Sequence, residues 1–334
     1  MKYLFTTVQG LEDIVVEELA ELGAVSASAR YMSGRVVAEV PSGPRHLLSL
    51  RSVEKFGIFI ASGSFEALPD IAAGVEAHLP EIEAYLSRAS TVGVSTERVG
   101  EHPFTSRDVE AAVGRLFKER GYLISLVDPD VEINVDVVGS EYYVWLTALK
   151  ESLRDRPYRV YAHYASLNPV VAYAMLRLAK PRPGETICDL TCGGGTICVE
   201  AALSAEVRCI CVDISLRPLL GASANAEAAG VGGKIDFFLF DSTRLHRAFR
   251  PVCDAFIFNP PFGVRIPGNI RRLYRGLNKA MSRLARRDGA RAVVITPRWR
   301  VFLEHFNGEV LERRVIYQGG IYSSIIVGVV ERAN

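Results

Sequence analysis

The second half of the chain alternates apolar runs of strand length with longer segments of helical periodicity. Strands separated by helices in this way join into a mostly parallel sheet with helices on both faces, because a parallel pair needs a long crossover connection. Two further apolar runs flank Gly319-Gly320 and predict a terminal antiparallel hairpin. The sequence therefore predicts an α/β fold with a doubly wound, Rossmann-like sheet of seven strands. The predicted strands are 186–190, 208–213, 235–240, 255–259, 292–296, 310–318 and 323–331, and the helices between the parallel strands are 196–205, 216–229 and 271–287.

The first half of the chain carries the signals of two smaller α+β units, followed by a charged stretch. The first unit alternates strands and helices in the order β-α-β-α-β, which is typical of a ferredoxin-like sandwich. The second unit begins with a helix at 71–86 and ends with two strands around Gly139-Ser140. Beyond the charged stretch, Asn168 as N-cap and Pro169 at the first helical position predict the start of the α/β domain. The predicted division is 1–62 ferredoxin-like, 63–149 the second α+β domain, 150–166 a linker and 167–334 the α/β domain.

Composition narrows the class of protein. Hydrophobic residues make up 49% of the chain and charged residues 23%, which is typical of a soluble globular protein. No apolar run reaches the roughly 18 residues that a membrane helix needs, and the first residues lack a signal-peptide pattern. We therefore expect a cytoplasmic protein with no membrane partner. All six cysteines lie between Cys188 and Cys253 without a CxxC pair or a nearby His, so we expect buried reduced thiols and no metal.

Positive charge is concentrated in one stretch of the chain. Residues 265–300 contain eleven Arg and Lys residues and one acid, Asp288, although the whole chain has a net charge of only +1. Cations recur at i, i+4 spacing along one side of the predicted helix 271–287. An ordinary solvated face is the alternative, but the acids expected on such a face are missing. The pattern favours a track for nucleic-acid phosphates. The candidates for this role are Arg265, Arg271, Arg272 and Arg275.

A glycine-rich stretch follows the first strand of the predicted parallel sheet. Glycines there let a ligand approach the backbone, and the next helix opens toward the ligand with its N-terminus. The stretch does not complete GxGxxG, because Cys198 stands at the third position, and this disfavours a dinucleotide. Acids end the next two strands, where a carboxylate suits ribose hydroxyls or an adenine amino group. Each acid alone could be a helix cap, but together with the loop they predict a nucleoside-type cofactor. The candidates are Asp189, Thr191, Cys192, Gly193, Gly195, Asp213 and Asp241.

Two consecutive prolines end the predicted strand 255–259. Neither has an N–H for a sheet ladder, so Asn259 marks the carboxyl tip of the strand, where open parallel sheets bind ligands. The Asn259 carboxamide and the carbonyl of Pro260 offer two oxygen acceptors, and Phe262 after Pro261 offers a flat apolar face. This combination suits a planar NH2 group on a stacked base. A strand-ending turn with a core Phe is the alternative.

A cationic loop precedes a helix in the second α+β unit. Arg98, His102 and Arg107 lie in it, and Thr105 with Asp108 three residues on predicts the N-cap of the helix. Cations at a helix start suit phosphate oxygens, whereas a solvated, capped loop is the alternative.

The order of these features resembles two known families. Residues 91–148, with an Arg-x-Gly-x-His-x-Phe-x-Ser stretch and a closing hairpin, resemble the THUMP domain, and this implies a module that grips the 3′ end of tRNA. The loop at 189–195, the two acids and the Asn-Pro-Pro-Phe run resemble the Rossmann-like methyltransferases that modify exocyclic amines. This implies S-adenosylmethionine as cofactor, with ribose at Asp213 and adenine at Asp241. Further cofactor contacts implied by the resemblance are Ser166, Leu167, Asn168, Ile214, Ser242 and Asn259.

Over nearly its whole length the chain resembles the tRNA guanine-N2 methyltransferases, most of all the archaeal enzymes that act at guanine 6 of the acceptor stem. The resemblance implies a flipped-out guanine as substrate and the acceptor stem and 3′ end of tRNA as partner; we also expect a monomer. Relatives that methylate guanine 10 typically carry Asp instead of Asn in the catalytic motif. The remaining alternatives are an rRNA guanine-N2 methyltransferase, a DNA adenine-N6 methyltransferase and a non-catalytic RNA-binding protein.

Overall fold

The structure is a computed structural model that describes residues 1–41, 43–162, 166–263, 269–286 and 289–333. The chain forms two compact units, one of residues 1–7 and 15–153 and the other of residues 8–14 and 154–334. Within the described ranges, no helix is long and apolar enough to cross a membrane.

The first unit is built on one nine-stranded sheet with the order β2-β3-β1-β4-β9-β8-β5-β7, and β6 pairs with β8. The strands are β1 (Lys2–Thr6), β2 (Ser26–Ala29), β3 (Arg35–Glu39), β4 (Lys55–Ser64), β5 (Thr91–Ser95), β6 (Arg98–Val99), β7 (Leu123–Ile124), β8 (Val131–Val138) and β9 (Glu141–Thr147). The helices are α1 (Glu12–Glu21), whose first residues belong to the second unit, α2 (Pro44–Leu47), α3 (Leu68–Ala77), α4 (Leu79–Glu83) and α5 (Ser106–Glu119).

The ferredoxin-like part of this unit has the order β1-α1-β2-β3-α2-β4. The sequence-based order lacked β2, because Ser26–Ala29 consists of small residues with little strand preference. The predicted domain boundary after residue 62 falls inside β4, which pairs with β9, so the two α+β parts share one sheet. The single helix predicted at 71–86 is wrong. Helix α3 ends before His78 and α4 begins with Pro80 in its first turn, since proline has no N–H to continue a helix.

The second unit has a seven-stranded sheet with the order β12-β11-β10-β13-β14-β16-β15. The strands are β10 (Thr186–Asp189), β11 (Arg208–Asp213), β12 (Ile235–Leu239), β13 (Ala255–Phe258), β14 (Ala290–Thr296), β15 (Gly308–Gln318) and β16 (Ile321–Val330). The α-helices are α6 (Pro169–Ala179), α7 (Thr196–Ser204), α8 (Leu216–Ala228), α9 (Ile270–Leu284) and α10 (Trp299–Leu303), and two 3-10 helices span Gly232–Lys234 and Ser242–Arg247. Five strands pair in parallel and the final hairpin is antiparallel, which confirms the predicted fold class.

Alternate residues of the central strands enter cores on opposite faces of this sheet. Ile187 of β10 packs with α6 and α7, whereas its neighbour Cys188 packs with α9. Part of the predicted linker also belongs to this unit. Arg156 Nε and the Tyr158 hydroxyl both donate to Glu200 Oε1 of α7, over 3.1 and 2.7 Å.

Candidate active site

Parallel strands bring the predicted site residues to one edge of the second sheet. Asp189 ends β10 and Asp213 ends β11, and these strands pair in register. Asn259 directly follows β13, which pairs with β10 on the other side. Because the strands run in parallel, their carboxyl ends meet at the same edge. Sequence positions that are up to 70 residues apart thus become neighbours there.

A narrow pocket at this edge is lined by the glycine loop and by Asn259, the first residue of the Asn-Pro-Pro-Phe motif, whereas Pro260, Pro261 and Phe262 are not in the lining. It gathers most of the residues predicted in the loop together with Asn259, and the predicted proximity of residue 259 to the glycine turn is present. The full lining is Ser166, Leu167, Asp189, Thr191, Cys192, Gly193, Gly194, Thr196, Ile197 and Asn259.

The other predicted cofactor residues are not part of this lining. Asn168 caps α6, and its Oδ1 accepts from Val170 N–H over 3.0 Å. Gly195 is the N-cap of α7. Asp241 Oδ1 accepts from the N–H and the hydroxyl of Thr243. Ser242 donates to the carbonyl of Leu190 over 2.5 Å. Ile214 follows Asp213 and is 72% exposed, so its apolar side chain is available to a ligand at the rim.

The glycine loop is held in a fixed conformation. Gly193 and Gly195 have φ values of 52° and 74°, in the left-handed region that favours glycine. Gly193 N–H donates to Asp213 Oδ2 over 2.9 Å, and Gly195 N–H donates to the Cys192 carbonyl over 2.8 Å. The N–H of Gly194 has no acceptor in the described part of the chain. This N–H is therefore the loop donor left for a ligand.

Asp189 is a buried acid at the floor of the pocket. Burial raises the pKa of its carboxyl to about 8; a hydrogen bond from Thr191 N–H opposes this shift, and the negative charge of Asp213 adds to it. A cationic ligand group would favour the ionised form. The neighbouring Thr191 hydroxyl is buried without a hydrogen-bond partner among the described residues. A carboxylate, an unused hydroxyl and an unused N–H fit the charged amino-acid end of S-adenosylmethionine.

Asn259 presents an unused carboxamide to the same pocket. The strand β13 stops at Phe258, and neither the Asn259 side chain nor the Pro260 carbonyl has a hydrogen-bond partner in the described ranges. Pro260 is buried, whereas Pro261 and Phe262 are partly exposed. The motif thus places together a partly exposed aromatic ring and two oxygen acceptors that have no partner among the described residues.

The cationic loop of the first unit is tied down by its own residues. Arg98 donates to the Phe104 carbonyl over 2.5 Å, and His102 Nε2 contacts the Gly139 carbonyl at 2.7 Å. The His102 ring also stacks on Phe104. Arg107 is exposed on the first turn of α5. Arg98 and His102 therefore shape the loop, and the exposed Arg107 lies just beyond it on α5.

The predicted phosphate track on α9 has a second row that the sequence did not reveal. Arg272 and Arg275 are exposed on α9, while Arg271 pairs with Glu304; Arg265 lies outside the described residues. Next to α9 lies the 3-10 helix Ser242–Arg247, and a Cβ added at Gly276 would lie 2.6 Å from Thr243. We call the exposed cations of these two helices the basic ridge: Arg244, Arg247, Arg271, Arg272, Arg275, Lys279 and Arg283. Of these, Arg244 pairs with Asp241 and Arg271 with Glu304.

The lowered pKa of His246 indicates that the two rows of the ridge lie close together. Burial lowers the pKa of His246, and the positive charges of Lys279, Arg283 and Arg247 lower it further. Two of these cations belong to α9, although His246 belongs to the 3-10 helix. A short run of mixed polar residues gives no periodic signal, so this row could not be predicted from the sequence.

The prediction of reduced thiols is wrong for four of the six cysteines. Cys188 is bonded to Cys253, and Cys192 of the glycine loop is bonded to Cys211 of β11, with Cα–Cα distances of 5.8 and 5.5 Å. Cys198 and Cys209 are free and buried. The pairing arises because parallel strands bring cysteines with no recognisable spacing within bonding distance.

The sheet order and the carboxyl-edge pocket define a Rossmann-like methyltransferase. Residues 156–324 match the family described as RMKL-like, methyltransferase domain, and residues 67–147 match the THUMP domain. The chain therefore belongs to the RMKL-like methyltransferase family, joined to a THUMP domain, and the methyltransferase domain of this family implies S-adenosylmethionine as the methyl donor. These matches confirm the resemblance, the enzyme class and the cofactor predicted from the sequence.

Several relatives match this chain over nearly their whole length. The tRNA (guanine(6)-N2)-methyltransferase of Archaeoglobus fulgidus is 30% identical, over 98% of this chain and 92% of that protein. The Thermus thermophilus enzyme of the same name is 33% identical, over 96% of this chain and 97% of its own length. The crystal structure of TrmN from Thermus thermophilus has a TM-score of 0.81 at 31% identity, covering 99% of this chain and 100% of that one.

Proposed function

We propose that this protein methylates the exocyclic N2 of guanine 6 in the acceptor stem of tRNA. The observation that carries the proposal is the unused carboxamide of Asn259 in the same pocket as Gly193 and Gly194. The full-length relatives named for this reaction support it. Their names also favour guanine 6 over guanine 10.

The proposed catalytic groups, Asn259 and Pro260, make a weak nucleophile reactive. The amino nitrogen of guanine is a poor nucleophile, because its lone pair is delocalised into the ring. Asn259 Oδ1 and the Pro260 carbonyl accept hydrogen bonds from its two N–H groups. They stabilise the positive charge that develops on nitrogen as the new N–C bond forms and the methyl–sulfur bond of the donor breaks. The methylated nitrogen then releases one of its protons to solvent. S-adenosylmethionine, when bound, supplies a methyl group activated by its sulfonium charge. Placement of the nitrogen supplies the remainder, so no covalent intermediate is required.

Different residues in and around the pocket bind different parts of the cofactor. In this proposal Asp189, the Thr191 hydroxyl and the Gly194 N–H hold the amino-acid end. Asp213 and Asp241 hold the adenosine at the rim, with Ile214 against the base. The remaining loop and flanking residues give the pocket its shape: Ser166, Leu167, Asn168, Cys192, Gly193, Gly195 and Ser242.

The guanine must leave its base pair to reach Asn259. Flipping costs a few kcal/mol. Stacking on Phe262, which is partly exposed, returns about 1–3 kcal/mol per base. Binding of the tRNA backbone supplies more. We assign that task to the basic ridge in the second unit and to Arg107 on the THUMP domain, which we expect to bind the 3′ end. Arg98 and His102 support the loop that precedes Arg107. The monomeric state and the cytoplasmic location stay predictions.

The proposal is tested by nucleoside mass spectrometry of an unmodified tRNA transcript after incubation with the enzyme and S-adenosylmethionine. We expect N2-methylguanosine that maps to position 6. A matched transcript, in which an A–U pair replaces the pair of guanine 6, should gain no methyl group. Equal methylation of both transcripts would contradict the assigned position. Methylation of rRNA or DNA adenine instead, or none at all, would contradict the assigned substrate.

A further inference from the structure

Asn225 is a buried amide that joins three parts of the second unit. It lies on α8 with only 2% of its surface exposed. Its Oδ1 accepts from Tyr161 N–H over 2.8 Å, and its Nδ2 donates to the Tyr161 carbonyl over 3.0 Å. The same Nδ2 donates to the Gly194 carbonyl over 2.9 Å. The side chain therefore connects the glycine loop to the segment that enters this unit from residue 154.

The bond to Gly194 controls the orientation of one peptide group. Because the peptide unit is planar, its carbonyl and the next N–H are fixed together. In the Gly194–Gly195 peptide the carbonyl is held by Asn225, and the N–H is held by the Cys192 carbonyl at 2.8 Å. Both ends of this peptide are thus fixed in a loop whose glycines would otherwise rotate freely. The orientation of the free Gly194 N–H, which belongs to the preceding peptide, depends on this fixed peptide.

One face of α8 packs closely against both the Tyr161 ring and the glycine loop. A Cβ added at Gly221 would lie 2.1 Å from the Tyr161 ring, so only glycine lets this ring lie against the helix. A Cβ added at Gly195 would lie 2.8 Å from Ala222, so the glycine loop also packs closely on α8. Gly221 and Asn225 are four residues apart and lie on one side of the helix.

We propose that Asn225 is a positioning residue for S-adenosylmethionine. It acts through the Gly194–Gly195 peptide and is itself aligned by the backbone of Tyr161. The proposal rests on the proposed function in one respect, that the glycine loop binds the cofactor. Asn225 touches neither the methyl group nor the guanine, so its loss should weaken cofactor binding and leave tRNA binding intact.

The test compares Asn225→Ala with wild-type protein by calorimetry of S-adenosylmethionine binding. Loss of the buried bonds should raise the Kd for the cofactor about tenfold or more. The KM for tRNA should stay within about twofold, a separation that general destabilisation does not produce. Asn278→Ala is the matched control, because Asn278 is an equally buried Asn on α9 that bonds to Tyr274 and Phe302. It should lower the melting temperature and leave the cofactor Kd unchanged.

A second pair of variants keeps the test decisive if Asn225→Ala does not fold. Gly221→Ala should weaken cofactor binding by displacing the Tyr161 ring, and the added change Tyr161→Ala should restore part of it. Gly233→Ala, at a position with no neighbour within 4 Å of an added Cβ, is the control without effect. Cofactor Kd values within twofold of wild type in folded Asn225→Ala, or in Gly221→Ala, would overturn the proposal. Absence of cofactor binding by the wild-type protein would instead overturn the assigned cofactor site.

Discussion

The carboxylate of Asp213 accepts a hydrogen bond from the N–H of Gly193 over 2.9 Å. The acid assigned to the ribose therefore also fixes the glycine loop. The disulfide between Cys192 and Cys211 joins the same two segments covalently, one residue before Gly193 and two residues before Asp213. The conformation of the loop thus depends on β11 through a charged hydrogen bond and a covalent bond.

Removal of the Cys192–Cys211 disulfide should loosen the cofactor loop. The two cysteines are 19 residues apart, and closing a loop of about that length contributes about 3 kcal/mol to stability. We expect Cys192→Ser/Cys211→Ser to melt at a lower temperature and to bind S-adenosylmethionine more weakly. The matched control is Cys188→Ser/Cys253→Ser, which removes the other disulfide and should change only the melting temperature. Equal cofactor Kd values for both double variants would contradict the assigned role.

The affinity for S-adenosylmethionine should rise with pH through the titration of Asp189. Burial raises the pKa of this carboxyl to about 8, so in the free protein it is largely neutral at pH 7. The cationic cofactor favours the ionised form, and each pH unit below the pKa then weakens binding by up to about tenfold. The Kd measured from about pH 6 to 9 in wild type and Asp189→Asn checks this. The variant should show only the titration of the cofactor itself, and parallel profiles would contradict the prediction.

The raised pKa of Asp189 has the opposite effect on the stability of the free protein, which should fall as pH rises. The folded carboxyl keeps its proton up to about pH 8, whereas the unfolded one releases it near the ordinary value of 3.8. Between these values the unfolded state binds fewer protons, so this group makes the protein less stable as pH rises. Asp189→Asn should therefore flatten the fall in melting temperature between about pH 5 and 8.

A buried ion pair should contribute strongly to the stability of the first unit. Arg35 of β3 pairs with Asp136 of β8, and Trp145 Nε1 donates to the same carboxylate over 3.1 Å. Arg35→Ala would leave Asp136 buried without its cation, at a cost of about 3–5 kcal/mol. The control is Arg30→Ala, whose pair with Glu141 is largely exposed and should contribute no more than about 1 kcal/mol. The free energy of unfolding of both variants is measured by urea denaturation. Similar decreases for Arg35→Ala and Arg30→Ala would contradict the prediction.

Charge reversal on the basic ridge should weaken the binding of every tRNA, whatever its nucleotide sequence. We expect Arg275→Glu/Lys279→Glu to raise the tRNA Kd and to lower its salt dependence, by about one unit of slope for each phosphate that the variant no longer binds. The cofactor Kd should not change. Arg182→Glu is the control, because Arg182 precedes β10 at the opposite edge of the sheet. A tRNA Kd equally affected by both variants would contradict a specific track.

Features with a local physical signature could be predicted from the sequence. The N-caps Thr105 and Asn168, the terminal hairpin and the alternation around β10 to β14 all follow from short-range rules, and the structure contains them. The strand-ending prolines likewise place Asn259 at the sheet edge. Features that need a partner distant in the chain could not be predicted. The sequence shows neither that Cys192 meets Cys211 nor that Asn225 meets Gly194, because no spacing rule links strands and helices across a parallel sheet.

The role of Asn259 is tested most directly by single-turnover methylation of tRNA with Asn259→Ala, alongside calorimetry of S-adenosylmethionine binding. We expect the rate of methyl transfer to fall about 100- to 1,000-fold, as when one preorganised charge-stabilising group is lost. The melting temperature should stay close to that of the wild-type enzyme, since the Asn259 side chain bonds to no described residue. The cofactor Kd should rise far less than the rate falls, since Asn259 is only one of the residues that line the cofactor pocket. A folded variant that binds the cofactor and transfers methyl groups within about threefold of the wild-type rate would contradict the assigned mechanism.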